Sequence, residues 1–240
     1  MKLLKFLAIL FFDLIDKYIH QKNIIKSLKN SKYFIKTYID IGAHRGTYID
    51  LFVKYYNLRK VYAFEPQPNI YKYLSARYLK FSHIKCLKIA ASDFNGHKNL
   101  NLNVHDLTSS FTKPNQENLY LKLKSILFQT TIKKIFFQSI KVKVIKLSSF
   151  FKKNKLKEID LLKIDTEGHE FQVLKGLHRE IKKVRIILIE FHKPHIYEGY
   201  SSSKVHNYII KNGFSLKKKI KFPLTTFEDR IYINKKILKN

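Results

Sequence analysis

The chain has 240 residues, of which 45% are hydrophobic and 14% are aromatic. This length and composition predict one domain with appendages and a sizeable core, and they exclude a disordered protein. The single cysteine, Cys86, excludes an internal disulfide framework and a cysteine-based zinc site. Because Cys86 lies in the apolar run IKCLKIAA, we expect a buried structural thiol in a protein of the reducing cytoplasm.

The formal net charge of +29 comes from 47 Lys and Arg residues against 18 Asp and Glu residues. An excess of this kind can neutralise the phosphates of a nucleic acid. However, only six of the basic residues are Arg, the side chain that binds phosphates and guanines in bidentate fashion. The lysines are also spread along the whole chain. Nucleic acid is therefore disfavoured as a partner, and anionic glycans or membrane surfaces are preferred over it.

Residues 1–33 are predicted to form an N-terminal amphipathic helical segment. The apolar run at residues 6–12 is too short to span a bilayer, and no small-residue cleavage site of a signal peptide follows it. Polar residues at positions 13, 16, 17 and 20 share one helical face, and the opposite face is apolar. Two interpretations stay open: the helix packs on the domain, or residues 1–20 rest on a membrane surface.

After this segment, apolar runs of strand length alternate with helical patterns. Buried strands are predicted at FIKTYIDIGA, KVYAFEP, IKCLKIAAS, IDLLKID and RIILIEF. Helices are predicted at residues 47–56, 69–79, 169–177 and 205–211. KNLNLNV and SIKVKVIKL alternate with period 2 and predict an antiparallel addition, while FSLKKKI and RIYIN predict a terminal strand pair.

This order indicates an α/β fold with a mostly parallel sheet, covered by helices on both faces and carrying an antiparallel terminal strand pair. Residues 113–137 have no clear place in this scheme, so we interpret them as an insertion that serves as a lid or cap.

Four carboxylates fall at or just inside the ends of four apolar strands: Asp40, Glu65, Asp165 and Glu190. In an open parallel sheet, ligands bind in the crevice at the carboxyl ends of the strands. An acid at such a position loses hydration, so it normally has a bound partner. The pattern therefore predicts a ligand site at this edge of the sheet.

The loop after the first strand, DIGAHRG, has the spacing G-x-x-x-G. A dinucleotide-binding loop has a further glycine in the middle, where the backbone approaches a pyrophosphate, and here that position is His44. S-adenosylmethionine (SAM) carries no phosphate, and its sulfonium and ammonium groups favour carboxylate and carbonyl oxygens. We therefore expect Asp40 to bind the amino-acid end of SAM, directly or through water, with Gly42 and Gly46 leaving room for it.

Glu65 ends the second strand, where a carboxylate accepts both ribose hydroxyls of a nucleoside. This contact serves SAM and nicotinamide cofactors equally well. Ser92 and Asp93 follow the third strand and are expected at the adenine edge. The alternative is a structural turn formed by Asp93 before Asn95-Gly96.

With these residues in place, the chain resembles the FkbM family of SAM-dependent methyltransferases from about Tyr38 to Asn234. The resemblance rests on YIDIGAHRGTY, VYAFEPQP, AASDFNG, TSSF, DLLKIDTEGHEFQVLKG, LIEFH and DRIYIN. Two departures stand out: His44 replaces a usual Asn, and LSSF at residues 147–150 replaces a common Leu-Asp segment.

The resemblance implies a Rossmann-like class I methyltransferase domain over residues 34–240, with a seven-stranded sheet. It also implies an O-methyltransferase that acts on sugar or polyketide-type hydroxyls, often in glycan biosynthesis. Substrate identity transfers least safely, because the insertion at 113–137 falls where substrate-binding elements vary.

Methyl transfer to a sugar hydroxyl benefits from a base that takes the proton of the hydroxyl. We expect Asp165 or His192 to be that base, and Glu167 and Glu190 to orient the acceptor. An alternative use of the cluster formed by Asp165, Glu167, Glu190 and His192 is a magnesium- or manganese-like ion, which is not the favoured interpretation.

Some of these residues also have structural interpretations. Glu167 has the alternative role of capping the following helix, and His169 and Glu170 are expected to be supporting residues. Ser109 and Ser110 are expected either to donate hydrogen bonds to substrate hydroxyls or only to form a loop turn.

Three rival functions stay open. The first is a nucleic-acid methyltransferase, although no Asn-Pro-Pro-Tyr-type segment or RNA-binding module is visible. The second is a non-catalytic SAM-fold protein in the assembly of envelope glycans, which the retained acids disfavour. The third is a nicotinamide enzyme, which the spacing of the first loop disfavours.

Overall fold

The computed structural model describes residues 14–29, 33–103, 109–113, 115, 136–192, 196–223 and 227–236. Seven strands form the main sheet, in the order β3-β2-β1-β7-β8-β10-β9. They are β1 (Thr37–Ile41), β2 (Lys60–Phe64), β3 (Ile84–Leu87), β7 (Ile159–Ile164), β8 (Val184–His192), β9 (Phe214–Lys221) and β10 (Phe227–Asn234). Between them lie β4 (Ala90–Ser92), β5 (Gly96–Asn103) and β6 (Phe136–Lys146), which form a second sheet of order β4-β6-β5.

The main sheet is parallel except at β10, which pairs in antiparallel fashion with both β8 and β9. The central strands are buried along almost their whole length, as expected for parallel strands covered on both faces. The predicted fold class is confirmed, including the antiparallel pair at the end of the chain.

The prediction of one continuous strand over IKCLKIAAS is wrong. Strand β3 pairs with β2 only as far as Leu87, opposite Phe64, where β2 ends. With no further partner on that side, the chain bends at residues 88–89. Residues Ala90–Ser92 then pair with β6 in the second sheet. The predicted antiparallel pair is β5 and β6, and it belongs to this second sheet.

Six α-helices are present in the described part of the chain. They are α1 (Gln21–Lys29), α2 (Thr47–Tyr55), α3 (Pro68–Arg77), α4 (Leu147–Lys153), α5 (Glu170–Leu177) and α6 (Ser202–Lys211). A π-helical turn, Asp16–His20, leads into α1, and a 3-10 turn, His178–Lys183, leads into β8. No helix of the described residues is long and apolar enough to cross a bilayer.

The sheet separates two apolar cores. On one face, side chains of α4, α5 and α6 pack against the sheet, and the Phe150 ring meets the edges of Tyr62 and Phe64 at centroid distances of 5.0 and 4.9 Å. On the other face, the core contains residues of α1, α2 and α3, including the fully buried Ile24 and Leu28. Burial of aromatic and aliphatic side chains on both faces fixes the strand ends in position.

The described part of the N-terminal segment packs on the domain, but its buried and exposed faces differ from those that the sequence predicts. His20, assigned to the polar face of the helix, is buried, and Leu14 on the apolar face is exposed. The physical reason is that the His20 side chain has a buried acidic partner, Asp229, on β10. Residues 1–13 and most of the predicted insertion at 113–137 lie outside the described residues.

Candidate functional site

Asp40 and Lys163 are the buried polar residues at the centre of the site. They face each other across neighbouring strands, because Asp40 of β1 is in register with Lys163 of β7. Both side chains are almost entirely inaccessible to solvent, and the Lys163 ammonium lies 3.8 Å from Oδ1 of Asp40. Neither oxygen of Asp40 has a hydrogen-bond partner in the described structure. Burial raises the pKa of Asp40.

Lys163 also pairs with Asp165, the first residue beyond β7, at 2.8 Å. Its ammonium lies 4.2 Å from the ring centroid of Tyr48 in α2. Burial alone would lower the pKa of Lys163, but the charges of Asp165 and Asp40 raise it above its ordinary value. Lys163 is therefore a fixed positive charge between two carboxylates. The strand-end pattern predicts no role for Lys163, although a lysine inside an apolar strand, two residues before Asp165, indicates a buried partner.

Contacts within the protein hold both ends of the loop that follows β1. Gly42 has φ +83°, and a Cβ atom there would lie 1.9 Å from the carbonyl oxygen of Asp165. The close approach of these two strand ends therefore requires glycine at this position. At the other end of the loop, the Tyr78 hydroxyl donates to the carbonyl of Gly46 at 2.9 Å. Contacts within the protein therefore explain why glycine occupies both positions, whether or not a ligand binds there.

Glu65 lies immediately after β2 and is buried. Its carboxylate accepts the backbone N–H groups of His44, at 3.0 Å, and Gln67, at 2.8 Å. Burial raises its pKa to about 7, although these two hydrogen bonds act in the opposite direction. Each oxygen retains a second lone pair, so the carboxylate can also accept hydroxyl donors.

Ser92 and Asp93 have protein partners in the structure. The Ser92 hydroxyl lies 3.0 Å from Nε2 of His169. The Asp93 carboxylate accepts a hydrogen bond from Lys175 at 2.8 Å, which lowers its pKa. Burial lowers the pKa of His169 to about 3, so its imidazole is neutral. These contacts tie β4 to α5, while the predicted adenine contact remains a prediction.

The TSSF segment supports the loop after β7. The Ser110 hydroxyl donates to the carbonyl of Glu167, and the Thr112 hydroxyl donates to the carbonyl of Gly168 at 3.2 Å. Ser110 is buried and Ser109 is partly exposed. The contacts of Ser110 favour its structural interpretation, whereas a substrate contact for Ser109 remains a prediction.

Glu167 and Glu170 have different roles in this loop. Glu170 is fully buried, and its Oε1 accepts the N–H groups of Thr166, at 3.0 Å, and Gly168, at 3.1 Å. Glu170, at the first position of α5, therefore holds the loop that precedes the helix. Glu167 has φ +52° and accepts a hydrogen bond from the Tyr197 hydroxyl.

Glu190 and His192 lie two residues apart on β8, so their side chains share one face of the sheet. Nε2 of His192 lies 3.2 Å from Oε2 of Glu190 and 3.9 Å from Oε1 of Glu170. The His192 ring lies between Tyr197 and Tyr200, with ring-centroid distances of 5.0 and 5.5 Å. Polar atoms of Glu167, Glu190 and His192 come within 4.8 Å of one another.

The two catalytic carboxylates predicted at the strand ends have opposite pKa shifts. Burial raises the pKa of Glu190 well above its ordinary value, and the charges of Asp165 and Glu167 add to this effect. Burial alone would also raise the pKa of Asp165, but Lys163 and a hydrogen bond with Glu190 lower it. The opposite shifts mean that a proton shared by the pair resides on Glu190 rather than on Asp165.

Asp229 of β10 lies beside the site, where it is in register with Glu190 of β8. It lies 2.8 Å from Nε2 of His20 and accepts a hydrogen bond from the Tyr48 hydroxyl at 3.1 Å. The sequence pattern alone does not predict a place in the site for Asp229, His20 or Tyr197. Their roles depend on elements distant in the chain, and for Asp229 the available signal was its place in the DRIYIN motif.

The methyltransferase FkbM domain model matches residues 40–216. The chain belongs to the FkbM methyltransferase family. The crystal structure of a methyltransferase FkbM from Methylobacillus flagellatus is similar, with a TM-score of 0.54 and 15% identity over 83% of this chain. This chain spans 43% of that protein. No curated protein matches the chain in sequence.

Two further similar structures contain the methyl donor or its product. One is TrmK of M. capricolum with S-adenosylhomocysteine, with a TM-score of 0.49 and 12% identity over 88% of this chain and 67% of that one. The other is fibrillarin of Aeropyrum pernix with SAM, with a TM-score of 0.48 and 8% identity over 84% of this chain and 67% of that one. The match of the family model confirms the predicted family, and with it SAM as the predicted cofactor.

The residues of this FkbM-family chain fit SAM at the ends of β1 and β2. Asp40 offers two buried oxygens without hydrogen-bond partners, which suit the ammonium and sulfonium charges of SAM. Glu65 offers free lone pairs beside the loop of residues 42–46, which suit a ribose. The pyrophosphate of a nicotinamide cofactor would have to lie close to the backbone at His44, where such cofactors require a glycine. His44 has a side chain and a left-handed backbone, at φ +47°, so the loop does not suit a pyrophosphate.

Proposed function

We propose that the protein transfers the methyl group of SAM to a hydroxyl group, that of a sugar in a glycan or glycoconjugate. The observation that carries the proposal is the pair formed by Lys163 and Asp165 at 2.8 Å, next to the buried Asp40. It lies at the carboxyl ends of β1 and β7 in an FkbM-family sheet, where ligands bind in folds of this type. The site thus combines a cofactor-binding half with an acid-rich half.

In the proposed site, Asp40 binds the amino-acid end of SAM and Glu65 binds its ribose. His44, Gly42 and Gly46 form the loop that follows β1, and Ser92 and Asp93 lie on the adenine side. When bound, SAM supplies an electrophilic methyl group on a positively charged sulfur. Glu167, Glu190 and His192 orient the acceptor, and Ser109 and Ser110 support the same side.

Asp165 is the proposed base. It is ionised and its side chain retains 30% exposure, whereas His192 is buried against carboxylates. SAM, when bound, would supply a methyl group whose leaving group is a neutral thioether, so the acceptor hydroxyl would have to lose its proton as it gains the methyl group. The hydroxyl proton becomes strongly acidic in this process and passes to Asp165. Because of that acidity, a positioned carboxylate of low pKa is a sufficient base.

The experiment compares Asp165→Asn with Asp40→Asn. Asp165→Asn should lower kcat by a factor of about 100 to 10,000, the usual contribution of a positioned base, and leave the SAM Kd within a few fold. Asp40→Asn should weaken SAM binding in a calorimetric titration, because a carboxylate–ammonium contact is lost. Unchanged turnover in Asp165→Asn would contradict the assigned base, and unchanged SAM affinity in Asp40→Asn would contradict the assigned anchor.

Peripheral membrane contact through residues 1–20 is part of the proposal. Leu14, Tyr18 and Ile19 are 46%, 52% and 47% exposed on the described part of this segment, and Lys17 and Lys22 are exposed beside them. An apolar face flanked by lysines suits an anionic lipid surface. Such contact would bring the enzyme close to acceptors that are assembled on lipid carriers.

A further inference from the structure

Three potential ligand side chains converge at the ends of β7 and β8. Glu167 comes from the loop after β7, and Glu190 and His192 come from β8. One ligand atom from each lies within 4.8 Å of the others. Ligands of a common cation are separated by distances of this order, since each would lie about 2.0–2.3 Å from the ion.

The three side chains are held in place by other parts of the chain. The Tyr197 hydroxyl donates to the carboxylate of Glu167, whose backbone is in the left-handed region at φ +52°. A non-glycine residue in this region is strained, and such strain persists where the surrounding structure holds the residue in place. A Cβ atom at Gly168 would lie 2.7 Å from the Tyr197 ring, so the loop and the ring are closely packed.

His192 provides independent support for a ligand. Its residue exposure is 6%, and its Nε2 has no hydrogen-bond partner in the described structure. Oε2 of Glu190 also has none, although the two atoms lie 3.2 Å apart. Buried polar atoms of this kind normally have partners, and here both are directed into the same cluster.

The charge around the cluster also favours a cation. Glu167, Glu190 and Glu170 lie together, with Asp165 beside them and Asp229 in register with Glu190. Lys163 is paired with Asp165 rather than with these glutamates.

We propose that Glu167, Glu190 and His192 bind one divalent cation of the manganese class. Two carboxylate oxygens and one imidazole nitrogen suit such an ion, and its remaining coordination positions would face the acceptor side of the crevice. This inference rests on the proposed function, because the ion would hold the acceptor hydroxyl next to Asp165. It adds a metal to the residues that orient the acceptor.

The experiment measures binding of Mn²⁺ alone to the full chain, from the loss of the free-ion signal in electron paramagnetic resonance. We expect one Mn²⁺ per chain, with competition by Mg²⁺. Glu167→Gln, Glu190→Gln and His192→Ala should each weaken Mn²⁺ binding by at least about tenfold, since even indirect partners of a metal contribute that much. Glu190→Gln replaces a carboxyl group by an amide of nearly the same size and shape, so the variant should fold like the wild type.

Glu198→Gln is the matched control, because Glu198 is exposed and lies next to Tyr197 in the chain. It should bind Mn²⁺ like the wild type, and SAM affinity in each variant reports on the fold. Absence of Mn²⁺ binding at millimolar concentration, or equal binding by all variants, would overturn the cation site. SAM binding without Mn²⁺ binding leaves the proposed function standing. Specific Mn²⁺ binding without methyl transfer to any acceptor supports the site and counts against the function.

Discussion

At the scale of single residues, neighbouring groups give the carboxylates of the site different protonation states. Lys163 favours the ionised form of Asp165, whereas burial and the neighbouring acids favour the protonated form of Glu190. Glu65 lies between these cases, with its pKa raised to about 7 by burial. Carboxylates that the sequence presents as equivalent strand-end acids are therefore expected to respond differently to pH.

The affinity for SAM should depend on pH through Glu65. Ribose hydroxyls donate to the ionised carboxylate, so binding lowers the pKa of Glu65 and releases a proton. Affinity should therefore rise as pH increases through about 7, by up to about tenfold per unit below that pKa. Calorimetric titrations between about pH 6 and pH 8 measure this change.

Glu65→Gln is the control for this prediction. An amide cannot ionise, so the variant should bind SAM more weakly and lose the rise in affinity near neutral pH. A wild-type affinity that does not change over the same range, or an equal change in Glu65→Gln, would contradict the assigned ribose contact.

The sequence predicts some of these residues and not others. Asp40, Glu65, Asp165 and Glu190 were found because strand ends can be located from apolar runs, and the structure brings them to one edge of the sheet. Partners supplied by distant elements were not predictable in the same way. The Lys163–Asp165 pair and the Tyr197 contact to Glu167 depend on side-chain geometry that spacing alone does not specify.

At the scale of the elements, the N-terminal helix is bound to the site by a buried pair. His20 in the π-helical turn contacts Asp229 in β10 at 2.8 Å, with both side chains inaccessible to solvent. The amphipathic pattern predicted the helix but placed His20 on the polar face, because the pattern contains no information about a buried acid. The same limitation applies to β4, whose strand pattern was found but whose partner, β6, was not.

Replacement of His20 should destabilise the protein. His20→Ala leaves the buried Asp229 without its imidazole partner, although the Tyr48 hydroxyl remains. We expect the free energy of unfolding to fall by about 2–3 kcal/mol. This is less than the usual cost of breaking a buried ion pair, because Asp229 keeps its hydrogen bond from Tyr48. Urea denaturation measures the change.

Lys22→Ala serves as the control for the His20 variant, because Lys22 is exposed on the next turn of the same segment. It should change the free energy of unfolding by less than about 0.5 kcal/mol. Equal effects of the two substitutions would show that the His20–Asp229 pair does not stabilise the attachment of the helix.

At the scale of the whole molecule, the net charge of +29 and the exposed apolar residues of the N-terminal segment favour an anionic surface. The protein should co-sediment with phosphatidylglycerol vesicles much more than with phosphatidylcholine vesicles, and salt should weaken the association. Ile19→Glu should lower binding about tenfold, because an apolar contact becomes a negative charge.

Leu79→Glu is the matched control, since Leu79 is 83% exposed and lies just after α3 rather than in the N-terminal segment. It should bind anionic vesicles nearly as well as the wild type. No association of the wild type with phosphatidylglycerol vesicles, or an equal loss in Leu79→Glu, would contradict membrane contact through the N-terminal helix.

The fold of the whole molecule was predictable because buried parallel strands alternate with amphipathic helices and the family motifs are spread over most of the chain. The acceptor was not predictable, because its contacts depend on the geometry of side chains around the crevice. The acceptor class therefore requires a direct measurement.

That measurement is the transfer of a tritium-labelled methyl group from SAM to a panel of nucleotide-sugars and envelope oligosaccharides, with total tRNA tested in parallel. The proposed function predicts label in an alkali-stable methyl ether on a sugar, and a rate of labelling at least about 100-fold lower with the Asp165→Asn variant. Label on tRNA, or labelling of sugar at the wild-type rate in Asp165→Asn, would contradict it.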